Sequence, residues 1–131
     1  MNDRFKFRYF EPYEKKIYNV SAIDFETRDV EIDNGTDNER NSIIKFVPDH
    51  CLQCTGLKDK NGTLIYEGDI VKTLFFGGEY QFNAKVVWNN DVLCFEVVAF
   101  NGVRGTLGIC EETEVIGNIY ENPELLKGQN D

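Results

Sequence analysis

The chain has 131 residues, 41% hydrophobic and 28% charged, with a formal net charge of −9. That length fits one domain, or one barrel with a smaller appendage, and buries roughly two thirds of its unfolded surface without staples. The acidic balance disfavours direct nucleic-acid binding and anionic membrane surfaces, because phosphate contacts need clustered Lys and Arg, and no apolar run approaches the ~20 residues of a transmembrane helix.

The N-terminus alternates Phe5, Phe7 and Tyr9 with Lys6 and Arg8, which predicts a half-buried strand. It carries neither an apolar signal core nor a small-residue cleavage site, so a cytoplasmic protein is expected. Pro12 marks a turn, and a second strand is predicted over 17–20. Ile23 and Phe25, then Val30 and Ile32, alternate with acids as one hairpin or two short strands. Residues 33–42 are polar throughout, with Asn34 and Gly35 inside, and predict a mobile loop. A strand over 43–47 stops at Pro48.

The stretch from Thr55 to Val71 is the densest in turn signals. Asn61 and Gly62 predict a tight hairpin in which both residues take φ > 0. Gly68 permits a bend or bulge before a strand over 70–76. Gly77 and Gly78 close a further hairpin. The charges of the stretch suit a solvated turn.

Tyr80, Phe82, Ala84, Val86 and Trp88 share one face of the next strand, against Glu79, Gln81, Asn83 and Lys85 on the other. Residues 89–91 form a turn, and 92–100 read as a central strand, apolar on nearly both faces. Asn101 and Gly102 turn the chain again, and a last strand over 115–120 is interrupted by Gly117. Asn122 and Pro123 open one helical turn, with Asn as cap and Pro at the first position. The tail beyond Gly128 is expected to fray.

These elements predict a mainly β protein. A small SH3-like barrel or roll is expected over residues 57–121, after an N-terminal β subdomain over 1–56 and before a short C-terminal helical turn and tail over 122–131.

Three segments then carry a family name: Phe5 to Arg8 near the start, Thr55 to Val71 in the middle, and Glu114 to Leu126 at the end. In that order they span almost the whole chain, and the chain resembles the YopX family of small phage and prophage proteins. The resemblance implies a mainly β protein with a barrel of this kind, and it transfers no catalytic residue and no established activity. It also implies that Cys51 and Cys54 are local substitutions, standing where the family has an apolar and an aromatic residue.

The cysteines at 51, 54, 94 and 110 are expected to be reduced thiols in a chain without an export signal. Cys51 and Cys54 are the weak metal or redox candidates. A zinc site needs two further ligands, and there is no second Cys-x-x-Cys, so neither metal nor cofactor is expected. Asp29, Glu31 and Asp33 could share a face, but Asn34 and Arg40 stand where a calcium loop needs Gly and Glu. Glu111, Glu112 and Glu114 read as edge charge that blocks strand pairing. His50 is the lone histidine, with no hydroxyl beside it in a recognisable motif, so no enzyme activity is expected. Phe75 and Phe76 are the candidates for partner contact, set against the plainer reading that they pack the barrel end.

The function expected from these residues is that of a non-enzymatic accessory protein. It would act by protein–protein interaction with an unknown partner, or as a homo-oligomer. The alternatives are a nucleic-acid-related role, which would need Lys6, Arg8, Lys58, Lys60, Lys72 and Lys85 to cluster; an acidic nucleic-acid mimic acting on a basic host protein; and a cysteine-based metal or redox site.

Overall fold

A computed structural model describes residues 3–33, 42–75, 78 and 80–126. Most of the loop expected over 33–42, Phe76, the glycine at 77 and the tail from 127 onward lie outside the described residues. Within them the chain is mainly β, with 3-10 turns at Asp3–Phe5, Pro48–His50 and Pro123–Leu125. No described helix is long and apolar enough to cross a membrane.

The strands are β1 (Phe7–Glu11), β2 (Lys16–Asp24), β3 (Asp29–Ile32), β4 (Ser42–Lys45), β5 (Cys51–Lys58), β6 (Leu64–Tyr66), β7 (Asp69–Phe75), β8 (Tyr80–Asn89), β9 (Cys94–Ala99), β10 (Arg104–Thr106) and β11 (Glu111–Asn118). They form two antiparallel sheets, ordered β4-β3-β2-β1-β5-β6 and β10-β9-β8-β7-β11. The second sheet does not close into the expected barrel. β10 is three residues long, and the chain then turns through Ile109 N–H to Thr106 C=O at 3.1 Å, so no ladder joins β10 to β11. β6, expected within the barrel, pairs with β5 of the first sheet. β5 itself runs across the predicted division at residues 56 and 57.

The expected strands at 17–20 and 23–25 are one strand, β2, in hairpin with β3. The strand expected over 92–100 begins only at Cys94, because Leu93 takes φ 56° to close the hairpin from β8. The tail motif forms a 3-10 turn with no side-chain cap from Asn122. The Asn122 carboxamide oxygen instead accepts the Asn118 N–H at 3.2 Å and lies against Gly117, where a Cβ would clash at 2.6 Å. Asn83 Nδ2 donates to the Leu125 carbonyl at 2.9 Å and holds this turn on β8.

Two cores follow from strand alternation. Ile65 of β6, Val71, Phe75, Ala84, Val86, Val97, Ala99 and Leu107 form the larger one, built mostly from the second sheet. Tyr9, Val30 and Ile32 centre the smaller one, under the first sheet. Tyr9 is anchored there: its hydroxyl donates to the Lys45 carbonyl at 3.4 Å and accepts the Val47 N–H at 3.1 Å. A buried phenol needs such partners, since an unpaired polar group costs about 1–3 kcal/mol.

Candidate functional site

The stretch from Thr55 to Val71 crosses from one sheet to the other; Lys58, Lys60, Asn61 and Thr63 are exposed, as expected of a solvated turn, but three of its polar residues are buried. Thr55, Asp59 and Asp69 are each under a tenth exposed. The Thr55 hydroxyl donates to the Ile65 carbonyl at 2.8 Å and accepts the Leu57 N–H at 3.1 Å. The hairpin turn is built by Asp59. One carboxylate oxygen accepts the N–H groups of Asn61 and Thr63, at 2.8 and 2.9 Å, and the other accepts Val115 N–H of β11 at 2.8 Å. Burial alone would push its pKa up. The N–H groups of Val115, Thr63 and Asn61 outweigh burial and hold the carboxyl below its usual range. Gly62 takes φ +86° and Asn61 does not take a positive φ, so the expected two-residue turn is a longer one, closed by Gly62 N–H to Asp59 C=O at 3.0 Å.

Asp69 opens β7. It accepts the Tyr66 N–H at 2.8 Å and pairs with Arg8 of β1 at 3.2 Å. The Arg8 guanidinium carbon lies 3.9 Å from the Tyr66 ring centroid. Burial pushes the Asp69 carboxyl up to about 6, against the pull of the Tyr66 N–H and Arg8 toward the ionised form. Gly68, at φ +84°, lets the strand turn beneath Tyr120, whose ring edge would meet an added Cβ at 3.1 Å.

Cys51 and Cys54 lie three residues apart on β5. Strand periodicity turns them to opposite faces, so they do not converge on one ion. Cys54 is fully buried, and burial followed by the Glu67 carboxylate pushes the Cys51 thiol up to about 11. Thiolate ligands and nucleophiles need the reverse shift. All four cysteines are free, and among the described residues no group of three or more His, Cys, Asp or Glu is placed to hold a metal.

Asp29 is held in an ion pair with Lys45 at 2.8 Å. β11 is an edge strand, and its Glu112 and Glu114 face Lys60 at 3.8 and 3.9 Å. Of the six basic residues a nucleic-acid groove would need, Lys6, Arg8 and Lys60 are tied to Asp3, Asp69 and this acidic edge. His50 packs edge-on against Tyr9 and Phe10, each at 5.8 Å between centroids. Phe75 is 2% exposed and meets Phe82 edge-on at 5.6 Å, so it is a core residue and not a partner contact. Phe76 lies outside the described residues.

The sequence reading missed a cleft between the two sheets, of about 360 Å³. Asp49 and Cys51 come from the first sheet's side, Glu67 and Gly68 from the crossover, Trp88 from β8, and Tyr120 from the segment after β11. Tyr120 stacks on Phe10 at 4.4 Å, and Trp88 meets Phe95 edge-on at 5.0 Å. Glu67 Oε1 accepts the Gln53 N–H at 3.0 Å. Burial, then Glu67 and Asp49, push the Tyr120 hydroxyl above its ordinary pKa. No local pattern announces this cleft, because its residues are spread from 48 to 120. A second hollow, of about 440 Å³, lies at the open edge between β10 and β11, where Arg104 is already paired with Glu96 at 2.8 Å.

Comparison with solved structures finds the crystal structure of protein EF1440 from Enterococcus faecalis, with a TM-score of 0.59 and 28% identity. The match covers 93% of this chain and 97% of that one. No curated protein matches. The family model described as YopX protein matches residues 6–127, which takes in β1 through the C-terminal 3-10 turn, and the chain therefore belongs to the YopX family.

Proposed function

We propose that this protein is a non-enzymatic accessory protein of phage or prophage origin that works by binding another protein. The observation that carries the reading is a division of labour among its polar groups. Thr55, Asp59, Asp69 and Thr73 are buried and spent on the fold, whereas Asp49 and Glu67 line an aromatic-walled cleft open to solvent, Glu67 while also holding the Gln53 N–H. Such a cleft suits recognition, and it offers no nucleophile activated by a neighbouring base.

The acidic balance of −9 favours a basic protein as partner, through steering and charge complementarity. Direct nucleic-acid contact is the weaker reading, since three of the six basic residues such a groove would need are already paired with acids. Affinity capture from a lysogenic host, followed by light scattering on the reconstituted complex, tests the proposal. A defined complex that weakens as salt is raised supports it. A strict monomer that captures nothing removes it.

A further inference from the structure

Among the described residues, neither Asp49 nor Glu67 forms an ion pair with Lys or Arg, although six other pairs are present. Glu67 is half-buried. Its Oε1 is held by the Gln53 N–H and Asp49 is exposed, so the two carboxylates supply negative charge at the cleft that a cation entering it would neutralise. The walls suit a flat cation. Trp88 stays 42% exposed, and the Tyr120 ring is backed by Phe10. Asp49 and Glu67 line the same cleft as the Trp88 and Tyr120 rings.

We propose that this cleft receives the guanidinium of an arginine side chain carried by a basic partner protein. The proposal rests on the reading of the chain as a protein-binding module and names the chemistry of its partner. Arginine fits better than lysine. Its planar, weakly hydrated head can lie on an aromatic face while its edge forks toward carboxylates. At about 360 Å³ the cleft lies at the small end of ligand sites, with room for one side-chain head. Beyond Trp88, the tip of the β8–β9 hairpin exposes Val92 and Leu93, at 57% and 71%, which gives the rest of a partner an apolar foothold.

The test is a ¹⁵N NMR titration of the full chain with N-acetyl-arginine amide, using the uncharged N-acetyl-citrulline amide as the matched control. The expected result is a shift of the Trp88 indole N–H and of the Glu67 and Gly68 amides with arginine only. Glu67→Gln keeps an acceptor for the Gln53 N–H and should weaken arginine binding about fivefold or more, as should Asp49→Asn. Glu112→Gln, on the acidic edge outside the cleft, should leave it unchanged. Equal shifts with citrulline, shifts spread evenly over β11, or indifference to Glu67→Gln in a well-dispersed spectrum would overturn the proposal. A chain that ignores arginine yet captures a host protein overturns the cleft assignment and leaves the interaction reading standing. A chain that binds arginine in the cleft but captures nothing supports the site and removes that reading.

Discussion

Arg8 and Asp69 join the two sheets. The guanidinium of Arg8, on β1, lies 3.2 Å from the carboxylate of Asp69, the first residue of β7, and packs over the Tyr66 ring. Asp69 is 2% exposed. Removing its cation leaves a buried charge uncompensated. Arg8→Ala should therefore destabilise the chain by about 3–5 kcal/mol in urea unfolding, far more than the loss of an exposed pair such as Lys6 with Asp3.

The same carboxyl sets a pH dependence. Its folded pKa of about 6 lies above the unfolded value near 3.9. Between the two, the folded state holds more protons than the unfolded one, so stability falls as pH rises from about 4 to about 6, by up to about 3 kcal/mol. Self-repulsion of a chain of charge −9 acts in the same direction. Asp69→Asn isolates the Asp69 share: its stability curve should be flatter than wild type across that window. An unchanged slope would assign the pH dependence to other groups.

Asp59 acts with the opposite sign. Its carboxyl is held below the usual range, so its contribution is present above the unfolded pKa and is lost as pH falls through the folded one. Asp59→Ala removes the acceptor of the Asn61, Thr63 and Val115 N–H groups. A loss of about 2–3 kcal/mol is expected, with faster hydrogen exchange at Thr63 and Val115 as the local readout.

Gly62 and Gly68 share a left-handed backbone, at φ +86° and +84°, and differ in their surroundings. Nothing lies within 4 Å of a Cβ at residue 62, whereas Tyr120 and Ile119 meet one at residue 68. Gly62→Ala should cost about 1–2 kcal/mol, the backbone strain alone. Gly68→Ala should cost more, by displacing Tyr120, and should disturb the aromatic signals of the cleft. Equal losses at the two positions would show that Tyr120 gives way freely.

The thiols supply a chemical check. At pH 8, Cys51 should react with Ellman's reagent much more slowly than a free thiol of ordinary pKa, because its own lies at about 11. Cys54, fully buried, should react only on unfolding. A fast-reacting thiol at Cys51 would revive the redox reading.

Much of the fold was legible locally. The alternation in 80–88 specifies β8 and its buried Ala84 and Val86, because side chains along a strand point to opposite faces. Gly62, Gly68 and Gly102 mark bends because they tolerate positive φ. The three motif segments marked the family. The strand period does not say which sheet a strand joins, so β6 was assigned to a barrel and pairs instead with β5. Nor does it give the environment of a charge. Asp59 and Asp69 look like turn residues in the sequence, yet each is buried by acceptor geometry that needs β11 or β1, more than 50 residues away.

The sequence by itself determined the β class, the turn positions and the lineage, because alternation, glycine and motif order are local properties of the chain. Tertiary structure alone decided that the second sheet stays open, that Phe75 points inward, and that Asp49, Glu67, Trp88 and Tyr120 surround one cleft. Those outcomes depend on contacts between segments far apart in the chain, and the free energy of such contacts is set by how two sheets pack, which no short window of residues contains.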